Sequence, residues 1–313
     1  MSEPGVHVEL DDLVRLQYRA SGFSFLPRQP VHSLLAGKRA SRLRGRGLDF
    51  EELRAYQPGD DIRTMDWHVT ARTRKPHVRV YTEERDRPCL LVVDQRLGMF
   101  FGSRRAMKSV VAAEAAALAA WRVLQAGDRV GALVFDDDDV VEIAARRSGA
   151  QVLRILGVIT AKNRALRVGT DRRPDPGMVD RVLERAVRIA AHDWLVCLIG
   201  DVSGAGPRTV ELVTRLSAHN DVLVAFVYDA LEAGLPDAGR LVMGQADLQL
   251  EVDTSEKALR GRYQAEFAQR LARIHELSLR RQIPVLPLDT EHDVSAQLRE
   301  LLGRRLARRG GSA

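Results

Sequence analysis

The sequence predicts an α/β fold in which a doubly wound, mostly parallel sheet follows an N-terminal segment of irregular and β character. Three observations lead there. Continuous apolar runs of strand length, such as "CLLVVD" (Cys89–Asp94) and "DWLVCLIGD" (Asp193–Asp201), recur from residue 89 onward, and a run without polar alternation suits a strand covered on both faces. Stretches of helical period separate these runs, as expected of a sheet wound by crossover helices. Two of the runs end in an acid, Asp94 and Asp201. Ligands of such sheets sit beyond the carboxyl ends of the strands, where strand order reverses, so two acids flanking that point would face each other.

Leucines and valines at helical spacing predict an N-terminal helix over Val8–Ala20. "SGFSFLPRQP" reads as an irregular link, and Leu34–Arg87 is polar and rich in Gly, Arg and Asp until Val78, Val80 and Thr82 alternate as a half-exposed strand. After the strand at Cys89–Asp94, Ser103–Gln125 reads as a helix stopped by Gly127. "DRVGALVF" and "VVEIAA" are strands joined by the four acids Asp136–Asp139. Those acids lack the glycine and distal glutamate of a calcium loop and read as a hairpin turn. Helices over Gly149–Thr160 and Met178–Ala190 lead to the strand at Asp193–Asp201. Helix Pro207–His219, strand Asp221–Asp229, a short hairpin at Arg240–Val252, helix Ser255–Arg281, strand Ile283–Asp289 and helix Val294–Arg308 complete the chain.

A chain of 313 residues, 45% hydrophobic, supports one large domain with a smaller addition. Cys89 and Cys197 both lie in apolar runs and read as core thiols, which fits a reducing compartment. The N-terminus carries no basic start and no apolar core of a signal peptide, and no stretch is long and apolar enough to span a membrane, so a cytoplasmic protein is expected. The net charge of +6 is concentrated in "GKRASRLRGRG" (Gly37–Gly47) and "GRRLARRGG" (Gly303–Gly311). Arg39, Arg42, Arg44 and Arg46 could hold nucleic acid, but a solvated basic surface is the simpler reading.

The segment "GRGLDFEELRAY" (Gly45–Tyr56), the block "PGDDIRTMDW" (Pro58–Trp67), Ala71–Arg72 and the run into Cys89–Asp94 resemble the signature of the DUF58 family, as do "GDRVGALVF" and "DALEAGLPDAG" further on. The resemblance implies a core similar to a von Willebrand factor A domain: a six-stranded sheet of Rossmann-type topology with one antiparallel strand. On this reading residues 1–87 hold the N-terminal helix and signature segment, 88–303 the A-like domain and 304–313 a flexible basic tail. The resemblance also implies a non-enzymatic adaptor for a MoxR-type AAA+ ATPase, or for its clients, in complex assembly or maturation.

A domains often bind Mg²⁺ or Mn²⁺ through an Asp-x-Ser-x-Ser loop, a threonine and a second aspartate. By resemblance Asp94 and Asp201 take the two acid places, Arg96 and Gly98 stand where the serines would be, and Thr170 is the only loop candidate for the threonine. Both hydroxyls are lost, and Arg96 adds a fixed charge. At about 5 Å and an effective dielectric near 20, a +1/+2 pair repels by roughly 6–7 kcal/mol. A degenerate, metal-free site follows, with Arg96 as internal counter-ion for Asp94 or Asp201.

In the signature block Asp60, Asp61 and Asp66 lie near Arg54, Arg63 and Arg72, with Gly59 in a turn and Tyr56, Trp67 and Ala71 alongside. Arginine forks on carboxylates would make a structural knot, with Trp67 as an apolar anchor. The same residues could instead form a partner-binding surface. There is no phosphate loop, no GxGxxG after a strand and no HExxH spacing among the eight histidines. The alternatives to an adaptor are a metal-dependent hydrolase using Asp94, Asp201 and the signature acids, or the basic nucleic-acid binder.

Overall fold

The computed structural model describes residues 5–21, 48–58, 60, 62–83, 87–167, 169, 173–245, 248–281 and 283–310. They belong to two compact units, residues 1–27 with 87–313, and residues 28–86. Chain order begins with α1 (Leu10–Arg15) of the larger unit, followed by β1 (Leu48–Ala55), α2 (Trp67–Thr73) and β2 (His77–Glu83) of the smaller one. The larger unit continues with β3 (Cys89–Asp94), α3 (Lys108–Gln125), β4 (Val130–Phe135), β5 (Val140–Arg146), α4 (Gly149–Ala165), α5 (Met178–Ile189), β6 (Leu195–Gly200) and α6 (Pro207–His219). It ends with β7 (Asp221–Tyr228), α7 (Ala230–Ala233), β8 (Arg240–Gln245), β9 (Leu248–Asp253), α8 (Lys257–Arg281), β10 (Val285–Asp289) and α9 (Val294–Gly310).

In the larger unit six strands form a mixed sheet in the order β10-β7-β6-β3-β4-β5, parallel except for the β4–β5 pair. The mostly parallel, six-stranded α/β sheet is therefore present. From β3 the chain moves outward through β4 and β5, then returns to the other side of β3 for β6 and β7. Strand order thus reverses between β3 and β6, the strands that lead into Asp94 and Asp201.

The apolar runs bury both faces, because successive side chains point to opposite sides of a strand. Cys89, Leu91 and Val93 enter one core with α3, α4 and α9, while Leu90 and Val92 enter a second with α5 and α6. On the first face α3 is built largely of alanines, and Ala112, Ala113, Ala116, Ala117 and Ala120 are fully buried. Small side chains let this helix lie close to its neighbours. Cys89 and Cys197 are free and buried, as the sequence predicts.

Several boundaries differ from expectation. The first helix is only six residues long before it tightens into a 3-10 turn, and it belongs to the larger unit, where it packs against α3 and α4. Leu13 is buried there, and the Trp121 indole N–H donates to the Leu13 carbonyl at 3.1 Å. Helix α3 begins at Lys108 rather than Ser103, because the Ser103 N–H is committed to the Asp229 carboxylate and the Met107 N–H to the Gly5 carbonyl. Residues 304–310, expected as a flexible tail, continue α9, consistent with a Leu-, Arg- and Ala-rich sequence of good helix formers.

In the smaller unit β1 and β2 form an antiparallel ribbon with a bulge between Phe50 and Glu52. Neither β1 nor α2 is evident in the sequence, since the acids of "LDFEELRA" break the alternation that marks a strand. The four-acid turn does join antiparallel β4 and β5, with Phe135 opposite Val140. No helix among the described residues is long and apolar enough to cross a membrane.

A second irregularity lies between Val130 and Ala132 in β4. A Cβ on Gly131 would stand 2.7 Å from the Ile143 carbonyl oxygen and 2.8 Å from the Ala145 nitrogen. Gly131→Ala is expected to cost about 1–3 kcal/mol through backbone displacement, read as a lower urea midpoint with an unchanged slope.

Candidate functional site

The candidate site lies at the carboxyl edge of the sheet, where each of the five parallel strands ends in or runs into an aspartate: Asp94, Asp136, Asp201, Asp229 and Asp289. Asp94 and Asp201 flank the reversal point and are buried. Gly200 makes room for Asp94, since a Cβ there would lie 2.7 Å from the Asp94 Cβ.

Arg96 folds back onto Asp94. Its Nε donates to both carboxylate oxygens at 3.0 and 3.1 Å, its Nη2 to Oδ2 at 2.6 Å, and its backbone N–H to Oδ1 at 3.0 Å. Nη2 also reaches the Ser203 carbonyl at 3.1 Å and stands 3.6 Å from Asp201 Oδ1. The guanidinium lies over the Phe135 ring, 5.6 Å from its centroid. Arg96 is therefore the internal counter-ion that the sequence suggests, and it touches both acids.

The second cation was not anticipated. Lys108, only 2% exposed, places Nζ 2.9 Å from Asp201 Oδ2 and 2.9 Å from Glu232 Oε1. It opens α3, where a positive charge runs against the helix dipole. A lone lysine at the start of an apolar helix was the signal available in the sequence. Glu232 is aimed by a capping box at the start of α7, in which its other carboxylate oxygen accepts from the Asp229 N–H at 3.1 Å. Asp229 accepts from the Ser103 N–H at 2.9 Å and the Thr290 hydroxyl at 2.5 Å.

Burial pushes the Asp201 carboxyl up, but the charges of Lys108 and then Arg96 outweigh it and hold the group below the ordinary carboxylate range. Burial would push Lys108 down, yet Asp201 and Glu232 raise it. Asp94 goes the other way, since burial lifts it more than Arg96 pulls it back.

Val202 adopts a left-handed backbone, φ 52°, a strained state for a β-branched residue that costs on the order of 1–3 kcal/mol. The turn it makes brings the Ser203 N–H to Asp201 Oδ1 at 2.9 Å and the Ser203 hydroxyl to Oδ2 at 3.1 Å.

This donor set does not fit a hard divalent cation, which wants several open oxygens. Arg96 covers both oxygens of Asp94, while Lys108 and Ser203 occupy Asp201. A Cβ on Gly98 would be 4.0 Å from Asp201 Oδ2, so the second serine place does face the site but carries no hydroxyl. Among the described residues no group of three or more His, Cys, Asp or Glu could hold a metal ion. Thr170 lies outside the described residues, as do Arg39, Arg42, Arg44 and Arg46. The acids of the β4–β5 turn serve the fold. Asp136 pairs with Lys162 at 3.0 Å, and Asp137 accepts from the Leu97 N–H at 2.6 Å.

The signature residues are in the smaller unit. Arg54 closes a two-pronged bond on Asp60 at 2.9 and 2.7 Å, and the Gln57 N–H donates to the same carboxylate at 2.8 Å. Asp66 caps α2, accepting from the His68 and Val69 N–H groups at 3.0 and 3.1 Å. The Tyr56 N–H donates to the Pro76 carbonyl at 2.9 Å. Gly59 and Asp61 lie outside the described residues. Arg63, Ala71 and Arg72 are exposed. Trp67 is not the internal anchor expected, being 65% exposed, with Ile62 62% exposed. As the first residue of α2, directly after the cap, it is carried on the outer side of the short helix.

Residues 52–273 match the family described as "Protein of unknown function DUF58". The chain belongs to the DUF58 family. Uncharacterized proteins of Mycobacterium tuberculosis and Mycobacterium bovis are 31% identical to this DUF58 chain over 301 residues, which is 91% of its length and 88% of theirs. Among solved structures, the conserved hypothetical protein BatB of Bacteroides thetaiotaomicron aligns with a TM-score of 0.42 at 12% identity, over 71% of this chain and 99% of that one. The pilus adhesin SpaC of Lactobacillus rhamnosus GG aligns with a TM-score of 0.40 at 10% identity, over 72% of this chain and 31% of that one.

Two expectations follow for the ionic cluster. Lys108→Met removes the nearest counter-charge from buried Asp201 and from partly buried Glu232 and should cost about 3 kcal/mol in chemical denaturation. A depressed carboxylate contributes stability above its unfolded value near pH 4 and loses it as pH falls through the folded value. Asp201→Asn should therefore lower the melting temperature at neutral pH, yet make it fall less than that of the parent protein on acidification below about pH 4.

Proposed function

We propose that this DUF58 chain is a non-enzymatic protein-interaction module with a von Willebrand factor A-like core, serving as adaptor for a MoxR-type AAA+ ATPase or its clients. The observation that carries the interaction role is the exposure of Trp67 and Ile62 in the signature segment. Large aromatic side chains are enriched where proteins bind one another. Arg63, His68 and Arg72 lie exposed around them and suit an acidic partner surface. The ionic cluster at the sheet edge supports the non-enzymatic part of the reading. Asp94, Asp201 and Lys108 are each engaged by an opposite charge, which disfavours them as nucleophile or base. It also fits partner binding without a bridging cation, because Arg96 and Lys108 already neutralise Asp94 and Asp201.

The test is a binding titration with a purified MoxR-type ATPase from the same organism. Binding should persist in excess EDTA. Trp67→Ala should weaken it by about tenfold or more, as loss of a central aromatic does, while stability changes by less than about 1 kcal/mol because the side chain is exposed. Absence of binding by the parent protein, or an undiminished affinity in the variant, overturns the reading.

A further inference from the structure

We infer that the turn after β6 is a two-state element whose strained left-handed form is imposed by the ionic cluster, so that buried Arg96 and Asp201 and the exposed residues Gly204, Ala205 and Pro207 control one another. Val202 holds φ 52°, a backbone that any Cβ disfavours and that is an outlier for a β-branched side chain. Such a state persists only where the surroundings over-determine it. Nothing in the residue type favours it, so the contacts around the turn must.

Those contacts converge on Ser203. Its N–H donates to Asp201 Oδ1 at 2.9 Å, its hydroxyl donates to Asp201 Oδ2 at 3.1 Å, and its carbonyl accepts from Arg96 Nη2 at 3.1 Å. Asp201 is in turn fixed by Lys108 at 2.9 Å, and Arg96 by Asp94 at 2.6 Å. The N–H, hydroxyl and carbonyl of Ser203 are thus all bound to the cluster, and the peptide that joins it to Val202 turns only when they let go. The bond from the Ala205 N–H to the Val202 carbonyl, 3.1 Å, lies within the turn and moves with it.

Val202 has room to change. It is half-buried, and with Arg96 it lines a cavity of about 940 Å³ between the second face of the sheet and α5, α6 and α8. Beyond it Gly204 and Gly206 accept another backbone path at little steric cost. When Val202 returns to negative φ, its strain is released and Ser203 leaves the cluster, which uncovers the oxygens of Asp201 and a donor of Arg96. The reverse holds by linkage. A polar group of a partner that takes those atoms favours the relaxed turn, and a contact that fixes residues 204–207 in place favours the intact cluster. The device is separate from the Trp67 surface and does not depend on the adaptor role.

The experiment replaces Val202 by Gly and by Ala in the full-length protein and compares the two variants by urea denaturation. At a left-handed position Gly is the more stable of the pair, and at an ordinary position Ala is. In the parent background Val202→Gly should exceed Val202→Ala by about threefold in the folding equilibrium constant. In an Asp94→Asn/Arg96→Met background, which removes the guanidinium without stranding a buried carboxylate, the order should reverse by a similar factor. Arg96→Lys keeps the charge but loses the two-pronged geometry, and it is the second background, read in the same way should the double variant not fold. Ala equal to or better than Gly in the parent overturns the strained turn. An unchanged order in a folded background overturns its control by Arg96.

Discussion

The structure depends on neutralising a row of carboxylates at one edge of the sheet. Parallel strands deliver their carboxyl ends to the same side, and here each of the five runs into an aspartate. Buried acids are tolerated only when paired and hydrogen-bonded. Each is met locally, by Arg96 on Asp94, Lys108 on Asp201, Lys162 on Asp136, and loop N–H groups on Asp229 and Asp289. The late start of α3 and the left-handed turn at Val202 each place a donor, and the glycine at position 200 clears space for Asp94 itself.

The two faces of the sheet solve different packing problems. On one, the alanines of α3 allow close approach, and α4, α9 and the N-terminal helix close the core around it. On the other, α5 and α6 pack together and α8 lies beside α6, but the central strand keeps an incompletely covered side chain. The polar edge and the open apolar face meet at Arg96, which binds an acid with one side of its guanidinium and lines the cavity with the other.

Much of the core was legible in the sequence because an apolar run without alternation has few ways to be buried other than inside a parallel sheet. The placing of Asp94 and Asp201 followed from strand order, and the role of Arg96 from its nearness to Asp94. Lys108 and Glu232 were not legible as partners because they are 124 residues apart and only the fold joins them. The smaller unit was less readable still. Acids interrupt the alternation of β1, and Trp67 in a polar stretch suggests a core residue until the helix that carries it is seen to turn it outward.

Lys108 also has a bearing on the order in which the chain can fold during synthesis. It is made well before either of its carboxylate partners, 93 and 124 residues downstream. Until those leave the ribosome, sealing α3 over the first strands would trap an ammonium with no counter-charge. Closure of the alanine face is therefore disfavoured until the end of β6 has delivered Asp201, and a product truncated before β6 would leave α3 open.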